Sequence, residues 1–353
     1  MIPHSRPTIE ADDIRAAVEV LQSRQLAQGG MVERFERGMA AHFGLSGGVA
    51  VTSGTAALEV ALRAMGIGPG DDVILPSYVC AAPLLAIQRV GAIPRVVDIE
   101  LDSFNIDPIA AERAVTSKTK VLIVPHLFGL PADLTALERL GIPIIEDCAQ
   151  TLGATEQGRP VGSIGLMTVC SFYATKLLCA GEGGMVLSRD ETLLEKVRRL
   201  REYDETPSLY PSSTNLKLTE LQAAIGLAQL GRLPTFLERR NALALDYYSR
   251  LNTIDLVPPH VPDGRTHSYY RFVVRLPNLA ESVEELNAII ARFEGRGIHC
   301  RKPVFRALHH YLELDGFPST EEAERTALSL PLFPALTDEE TAQILVALQE
   351  EWP

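Results

Sequence analysis

What the 353-residue sequence lacks narrows it first. Its five cysteines, Cys80, Cys148, Cys170, Cys179 and Cys300, include no Cys-x-x-Cys pair. Neither a disulfide framework nor a cysteine-built zinc cage is expected from such spacing, and no metal site is assigned. No run of 18 apolar residues occurs, which counts against a membrane-spanning helix. The opening Met-Ile-Pro-His-Ser-Arg-Pro has no apolar stretch, and free thiols suit a reducing compartment, so a cytoplasmic location is expected. Positive charge is also in deficit: 33 Lys and Arg against 45 Asp and Glu leave a net charge of −12. Nonspecific nucleic-acid or anionic-membrane binding draws on a basic surface, so neither is an expected partner. There is no Walker A loop, no G-x-G-x-x-G after a strand, no G-x-S-x-G elbow and no H-E-x-x-H. P-loop nucleotide hydrolysis, Rossmann dehydrogenation, serine hydrolysis and zinc proteolysis lose support accordingly.

What is present reads as a folded chain, with 46% hydrophobic and 22% charged residues, and its length allows two or three domains. Helical patterns over Ile9–Arg24 and Val32–His42 come first. Short β-branched runs then alternate with helical segments: Val49–Val51, Thr55–Met65, Val73–Leu75, Ala81–Val90, Arg95–Val97, Ile109–Val115, Val121–Val124, Leu134–Leu140 and Pro143–Ile145. That rhythm predicts βαβ units and a mainly parallel, buried sheet. Met167–Phe172 and Met185–Leu187 lie too close for a crossover helix and should pair antiparallel. A charged helix follows over Glu191–Arg201, then a polar loop from Pro207 to Thr214 and a long helical pattern from Thr219 to Leu251. Pro234 should kink or break that helix. Strand-like Tyr270–Val274 and helical Val283–Phe293 and Thr337–Glu350 complete the pattern, with the lone tryptophan, Trp352, packing the end. The expected division is a large α/β domain over residues 1–238 and a smaller α+β domain over 239–353.

Three features carry possible chemistry. Asp147, in Glu146-Asp147-Cys148-Ala149-Gln150, ends an apolar strand, and ligands of open α/β sheets bind at the carboxyl ends of strands. It could hold a cationic group or simply cap a helix. Lys176 follows the strand Cys170-Ser171-Phe172, among apolar and small residues. Desolvation there favours a neutral amine able to form a Schiff base, although a snorkelling surface lysine would look the same. Ser53-Gly54-Thr55 leads from a strand into a helix whose first amides could cradle a phosphate, or merely be capped by Ser53 or Thr55. In this order, phosphate cup, acid and lysine describe a site for pyridoxal 5′-phosphate, which needs an anion cradle, a carboxylate for its ring nitrogen and an amine for its aldehyde.

With these motifs the chain resembles the DegT/DnrJ/StrS family of fold-type-I nucleotide-sugar aminotransferases. The likeness runs over Ser53–Leu58, Glu146–Gln150, Ser171–Lys176, Glu182-Gly183-Gly184, Asn215–Ala224 and Ser329–Pro334, nearly the whole length. The resemblance implies a large domain with a mainly parallel seven-stranded sheet plus a small α+β domain. It implies that Lys176 holds the cofactor as an imine and shuttles a proton, while Asp147 pairs with the ring nitrogen. Gln150 would lie near the ring hydroxyl and Ala149 against one ring face. Gly54, Thr55 and Ser171 would bind the phosphate, and Asn215 would reach it from the neighbouring subunit of a homodimer with shared active sites. The implied substrates are a nucleotide-linked keto sugar and glutamate (or glutamine).

Two positions depart from the family pattern. Cys80 stands where an aromatic residue often stacks on the ring, so that either Cys80 covers the ring or Tyr78 moves in. Lys217 replaces an arginine two residues after Asn215. A basic cluster, His299, Arg301, Lys302, Arg306, His309 and His310, could meet a diphosphate or a donor carboxylate, with Arg301 and His309 the favoured substrate residues, or could be a solvated loop. His267 and Tyr269 resemble a family segment but also suit a strand core. Two other activities remain open: a sugar dehydratase of the same family, which would carry histidine at position 176, and a non-catalytic regulator that binds the cofactor.

Overall fold

Strands and helices alternate from residue 47 to residue 147, and this alternation builds the sheet that carries the site. The structure is a computed structural model describing residues 1–203, 213–251, 256–278 and 282–351. Trp352 and residues 207–212 of the expected polar loop lie outside the described residues. Helices α1 (Ala11–Ser23) and α2 (Gly30–Phe43) precede β1 (Gly47–Val51), α3 (Gly54–Ala64), β2 (Asp72–Pro76), α4 (Ala82–Arg89) and β3 (Ile93–Val97). Then come α5 (Pro108–Ala114), β4 (Thr119–Pro125), α6 (Leu134–Glu138), β5 (Ile144–Asp147) and a small hairpin of β6 (Thr155–Glu156) and β7 (Arg159–Pro160). β8 (Met167–Ser171), β9 (Gly184–Ser188), α7 (Glu191–Arg201) and α8 (Glu220–Leu251) complete the larger part. The remainder holds β10 (Phe272–Arg275), α9 (Val283–Gly295), α10 (Leu308–Tyr311), α11 (Pro318–Thr326), β11 (Ala327–Leu330) and α12 (Asp338–Glu351).

The seven-stranded sheet has the order β1-β9-β8-β5-β4-β2-β3. Only β9 runs against its neighbours, pairing antiparallel with β1 and β8. All other pairings are parallel, so the mixed α/β class and the antiparallel β8–β9 pair are as the sequence leads one to expect. The interior strand β2 is buried at every position, as the covered face of a parallel sheet requires. The edge strand β3 alternates in exposure instead. Side-chain caps start several helices: Ser53 accepts the Ala56 amide at 3.1 Å before α3, and Asp190 and Ser282 do the same for α7 and α9.

Helix α8 runs for 32 residues through Pro234 without a break, so of the kink or break expected there the break does not occur. The missing amide and ring clash cost about 3 kcal/mol. Leu233, Phe236, Leu243, Tyr247 and Leu251 are all buried along the helix, and each such side chain contributes roughly 1.5–3 kcal/mol. Packing therefore outweighs local propensity. Ala223 and Leu233 join the core formed with α2 and the sheet, whereas Leu243, Ala244, Tyr247 and Leu251 join the core around β10 and β11. Helix α8 thus links the two cores. Among the described residues no helix is long and apolar enough to cross a membrane.

Candidate active site

Parallel strands β1, β2, β4, β5 and β8 all end on one rim of the sheet, so the residues after Val51, Pro76, Pro125, Asp147 and Ser171 are gathered there. Gly54 and Ser171 meet at this rim. A Cβ on Gly54 would lie 2.9 Å from the Ser171 Cβ, and one on Gly184 would lie 2.3 Å from the Ser53 carbonyl oxygen. The two glycines are what let α3 start against β8 and β9. The amides of Gly54 and Thr55 are the first of α3, with no carbonyl behind them in the helix, and they carry the positive end of its dipole.

Successive residues of β5 face opposite sides of the sheet, which separates two adjacent carboxylates. Glu146 is fully buried and structural: it accepts the amides of Gly162, Ile164 and Gly165 at 2.5–2.7 Å and contacts His126 Nε2 at 3.2 Å. Asp147 accepts only the Ala149 amide, at 3.0 Å, among the described hydrogen bonds. Burial pushes the Asp147 carboxyl above its usual range, opposed by that amide and by the charges of Lys176 and His126. No cation among the described residues lies at salt-bridge distance from it. This is a desolvated acid without a cationic partner among the described residues.

Lys176 sits in the turn after β8, where its amide donates to the Tyr173 carbonyl at 2.8 Å. Its Nζ lies 5.1 Å from the ring centroid of Tyr270. A cavity of about 540 Å³ is lined by Lys176 with Cys80, Gln150, Tyr173, Tyr270 and Arg271 and by Arg301, Lys302, Phe305, Arg306 and Tyr311, with Glu294 as its acidic residue. Gln150 uses its Oε1 to accept the Phe128 amide at 3.0 Å, which leaves its amide nitrogen as a donor.

Of the residues singled out in the sequence, Cys80, Gln150, Lys176 and Arg301 share this cavity wall. Gly54, Thr55, Asp147, Ala149 and Ser171 lie on the strand rim. Asn215 is exposed, next to Lys217, whose backbone bridges Val51 at the end of β1. His309 is set apart: it is 1% exposed, bonded through Nδ1 to the Ser77 hydroxyl at 2.7 Å and stacked on Phe317. Tyr78 is buried against Phe104 and is absent from the cavity wall, whereas Cys80 is on it. His267 and Tyr269 stack on each other at 4.2 Å, and burial pushes the His267 imidazole down to about 3. Neither lines the cavity, whereas their neighbours Tyr270 and Arg271 do. Sequence reasoning passed over those two, together with Tyr173, Phe305 and Tyr311. The available signal was the aromatic run beside Lys176 and within residues 267–271.

Comparison with known proteins agrees with this geometry. The sequence profile of the DegT/DnrJ/EryC1/StrS aminotransferase family matches residues 7–349. The spore coat polysaccharide biosynthesis protein SpsC of Bacillus subtilis is 34% identical, covering 99% of this chain and 96% of that protein. S. venezuelae DesV, solved in complex with a ketimine intermediate, superposes with a TM-score of 0.90 at 34% identity over 97% of this chain and 94% of its own. Spr1654 of Streptococcus pneumoniae superposes at 0.93 in its PLP form and 0.94 in its PMP form, with 29% identity; 99% of this chain is covered, and 98% and 97% of those chains. This chain belongs to the DegT/DnrJ/EryC1/StrS aminotransferase family and is a pyridoxal-phosphate-dependent aminotransferase.

Proposed function

We propose that this protein transfers an amino group from glutamate (or glutamine) to a keto-deoxy sugar linked to a nucleotide. The observation that carries this reading is the cavity itself. It runs from Lys176 to a wall of Arg301, Lys302 and Arg306 in a chain whose net charge is −12. Positive charge concentrated against that background suits a diphosphate, and Phe305, 87% exposed, offers a flat apolar face beside it.

The residues present fit pyridoxal 5′-phosphate. The close approach of Gly54 to Ser171 sets the Ser171 hydroxyl beside the first amides of α3, a donor set suited to a phosphate, and Asp147 is a buried carboxylate lacking a cation. When bound, the cofactor supplies an electrophilic aldehyde and an electron-poor ring. In this reading Gly54, Thr55 and Ser171 bind the phosphate, with Asn215 of a second copy completing the cup. Asp147 faces the ring nitrogen and keeps its proton in place. The Gln150 amide donates toward the ring hydroxyl, and Ala149 packs on one ring face. Cys80 stands at the other face as a polarisable thiol. The Lys176 Nζ holds the cofactor, then takes and returns the proton that moves during transfer. Arg301 meets the anionic part of the substrate. Burial of His309 behind the wall favours a supporting role for it.

The homodimer draws support from α1, where Ile14, Val18 and Leu21 are 59%, 42% and 54% exposed at helical spacing. Core membership along α8 supports placing the domain division near residue 238. Retention of Lys176 favours transamination over the dehydratase reading. The test is a screen of nucleotide-linked 3- and 4-keto-6-deoxy sugars with glutamate, following 2-oxoglutarate release. Stoichiometric release with an aminated sugar product supports the proposal. Sugar deoxygenation without amine gain overturns it.

A further inference from the structure

Tyr270 has no part in the phosphate cup, the Asp147 carboxylate or the cationic wall, yet the structure holds it by many contacts. Its ring carries two cations, with Lys176 Nζ at 5.1 Å and Arg271 Cζ at 5.4 Å from the centroid. Its hydroxyl lies 3.4 Å from Thr175 Oγ1, one residue before the lysine. It is only 5% exposed, and what it shows faces the cavity.

The backbone around it is held from several sides. Tyr269 adopts φ 46° and Phe128 φ 60°, left-handed conformations that are costly for aromatic residues. The Arg240 guanidinium, buried on α8, donates to the carbonyls of Tyr269 and Tyr270 at 2.9 and 3.1 Å. The amides of Ser268 and Arg271 donate to the Gly129 and Phe128 carbonyls at 2.9 and 3.0 Å. Gly129, at φ 107°, could bear no side chain, because a Cβ would meet the Tyr269 and Tyr270 amides at 2.8 Å. Phe128 in turn donates to Gln150 on the cavity wall. Strain of this kind persists only where the surroundings impose it, and here it lies at Tyr269, next to Tyr270, and at Phe128 and Gly129, which pack against the same backbone.

We propose that Tyr270 is a positioning residue for Lys176, its ring face fixing where the amine rests and its hydroxyl anchored beside Thr175, one residue before the lysine. Burial pushes the Tyr270 phenol up. The charges of Lys176 and Arg271, with hydrogen bonds to Thr175 and Arg271, outweigh that and bring it down to about 8. Arg240 of α8 donates to the Tyr270 carbonyl, Glu294 of α9, Arg301, Lys302 and Arg306 line the same cavity with Cys80, Cys300, Tyr173 and Tyr311, and His4 shares a small adjoining cavity. Burial, followed by Arg271, Arg301 and His299, pushes His4 down to about 3, so His4 stays neutral while the phenol titrates. The charge of Lys176 favours the ionised phenol, so replacing the lysine removes that support and lets burial push the phenol back up.

The inference rests on Lys176 being the reactive amine, but its test needs no cofactor. Cofactor-free protein is titrated from pH 6 to 12 by tyrosinate absorbance in wild type, Tyr270→Phe and Lys176→Met. One of the nine tyrosines should ionise near pH 8 in wild type and be missing from Tyr270→Phe. In Lys176→Met its midpoint should rise by at least one pH unit. All tyrosines titrating above pH 10 in wild type, or an unmoved midpoint in Lys176→Met, would overturn the inference; that second arm decides alone should Tyr270→Phe fail to fold. With cofactor and substrates, Tyr270→Phe should keep KM within about twofold while the alkaline limb of its kcat profile moves. Reductive labelling of a lysine other than Lys176 would sink the catalytic reading and leave the titration result standing, so the two failures are distinguishable.

Discussion

The start of α3 touches the end of β8 at Gly54 and Ser171, so closely that a Cβ on Gly54 would lie only 2.9 Å from the Ser171 Cβ. This contact brings two helix amides and a strand-end hydroxyl to one point. Gly54→Ala should spoil the cup without unfolding the chain. The overpacked contact costs about 1–3 kcal/mol of folding stability, and the shift of α3 that relieves it separates the phosphate donors, so the cofactor should bind at least about 5-fold more weakly, a loss of about 1 kcal/mol. Fluorescence titration of cofactor-free protein with pyridoxal phosphate should show that loss, with the amount of folded protein unchanged.

Asp147 gives a prediction whose sign reverses when the cofactor binds. Its folded-state carboxyl is raised by burial, so the folded protein holds a proton that the unfolded chain has released, and stability falls as pH rises through that window. At neutral pH, cofactor-free Asp147→Asn should melt higher than cofactor-free wild type, and the difference should close below the ordinary aspartate range. Activity should move the other way. Removing one partner of a buried pair costs about 3–5 kcal/mol, so kcat should drop about 10²–10⁴-fold.

Cys80 is the exposed thiol of the five, and it lies on the cavity wall. Burial raises Cys148, Cys170, Cys179 and Cys300, which makes them poor nucleophiles. Iodoacetamide should therefore modify one site in the folded protein, with pyridoxal phosphate slowing the reaction. Cys80→Phe should bind the cofactor about 2- to 10-fold more tightly, the worth of an added ring contact of about 0.5–1.5 kcal/mol. Mass spectrometry that maps the label elsewhere would contradict this placement.

The apolar stripe of α1 makes the subunit arrangement testable. Wild type should elute as a dimer in light-scattering chromatography, and Ile14→Glu with Val18→Lys should yield monomers that retain the fold. Those monomers should lose most of their activity, because Asn215 would no longer reach a neighbouring site.

Much of this architecture was legible because it rests on short-range signals. The β8–β9 pair could be read as antiparallel because the intervening loop has no room for a crossover. The rim residues Asp147 and Ser171 were legible because each ends an apolar run. The break allowed for at Pro234 does not occur, because the cost of the proline is local, whereas the compensating burial of Leu233 through Leu251 comes from two separate cores. β11 escaped notice because four residues carry too little periodicity, and its partner β10 lies more than fifty positions away. His309 looked like a member of the basic cluster, yet a neighbour in sequence need not share a wall: Ser77 and Phe317 enclose it. Tyr270 stayed hidden for the opposite reason, since its place beside Lys176 depends on Arg240, Phe128 and Gly129 from distant segments.

The most direct measurement is reduction of the cofactor-loaded enzyme with borohydride, followed by peptide mapping of the pyridoxyl group. The label should fall on Lys176, in the peptide that begins after β8, and should vanish in Lys176→Met. A label on any other lysine, or none on protein that still binds the cofactor, would contradict the account.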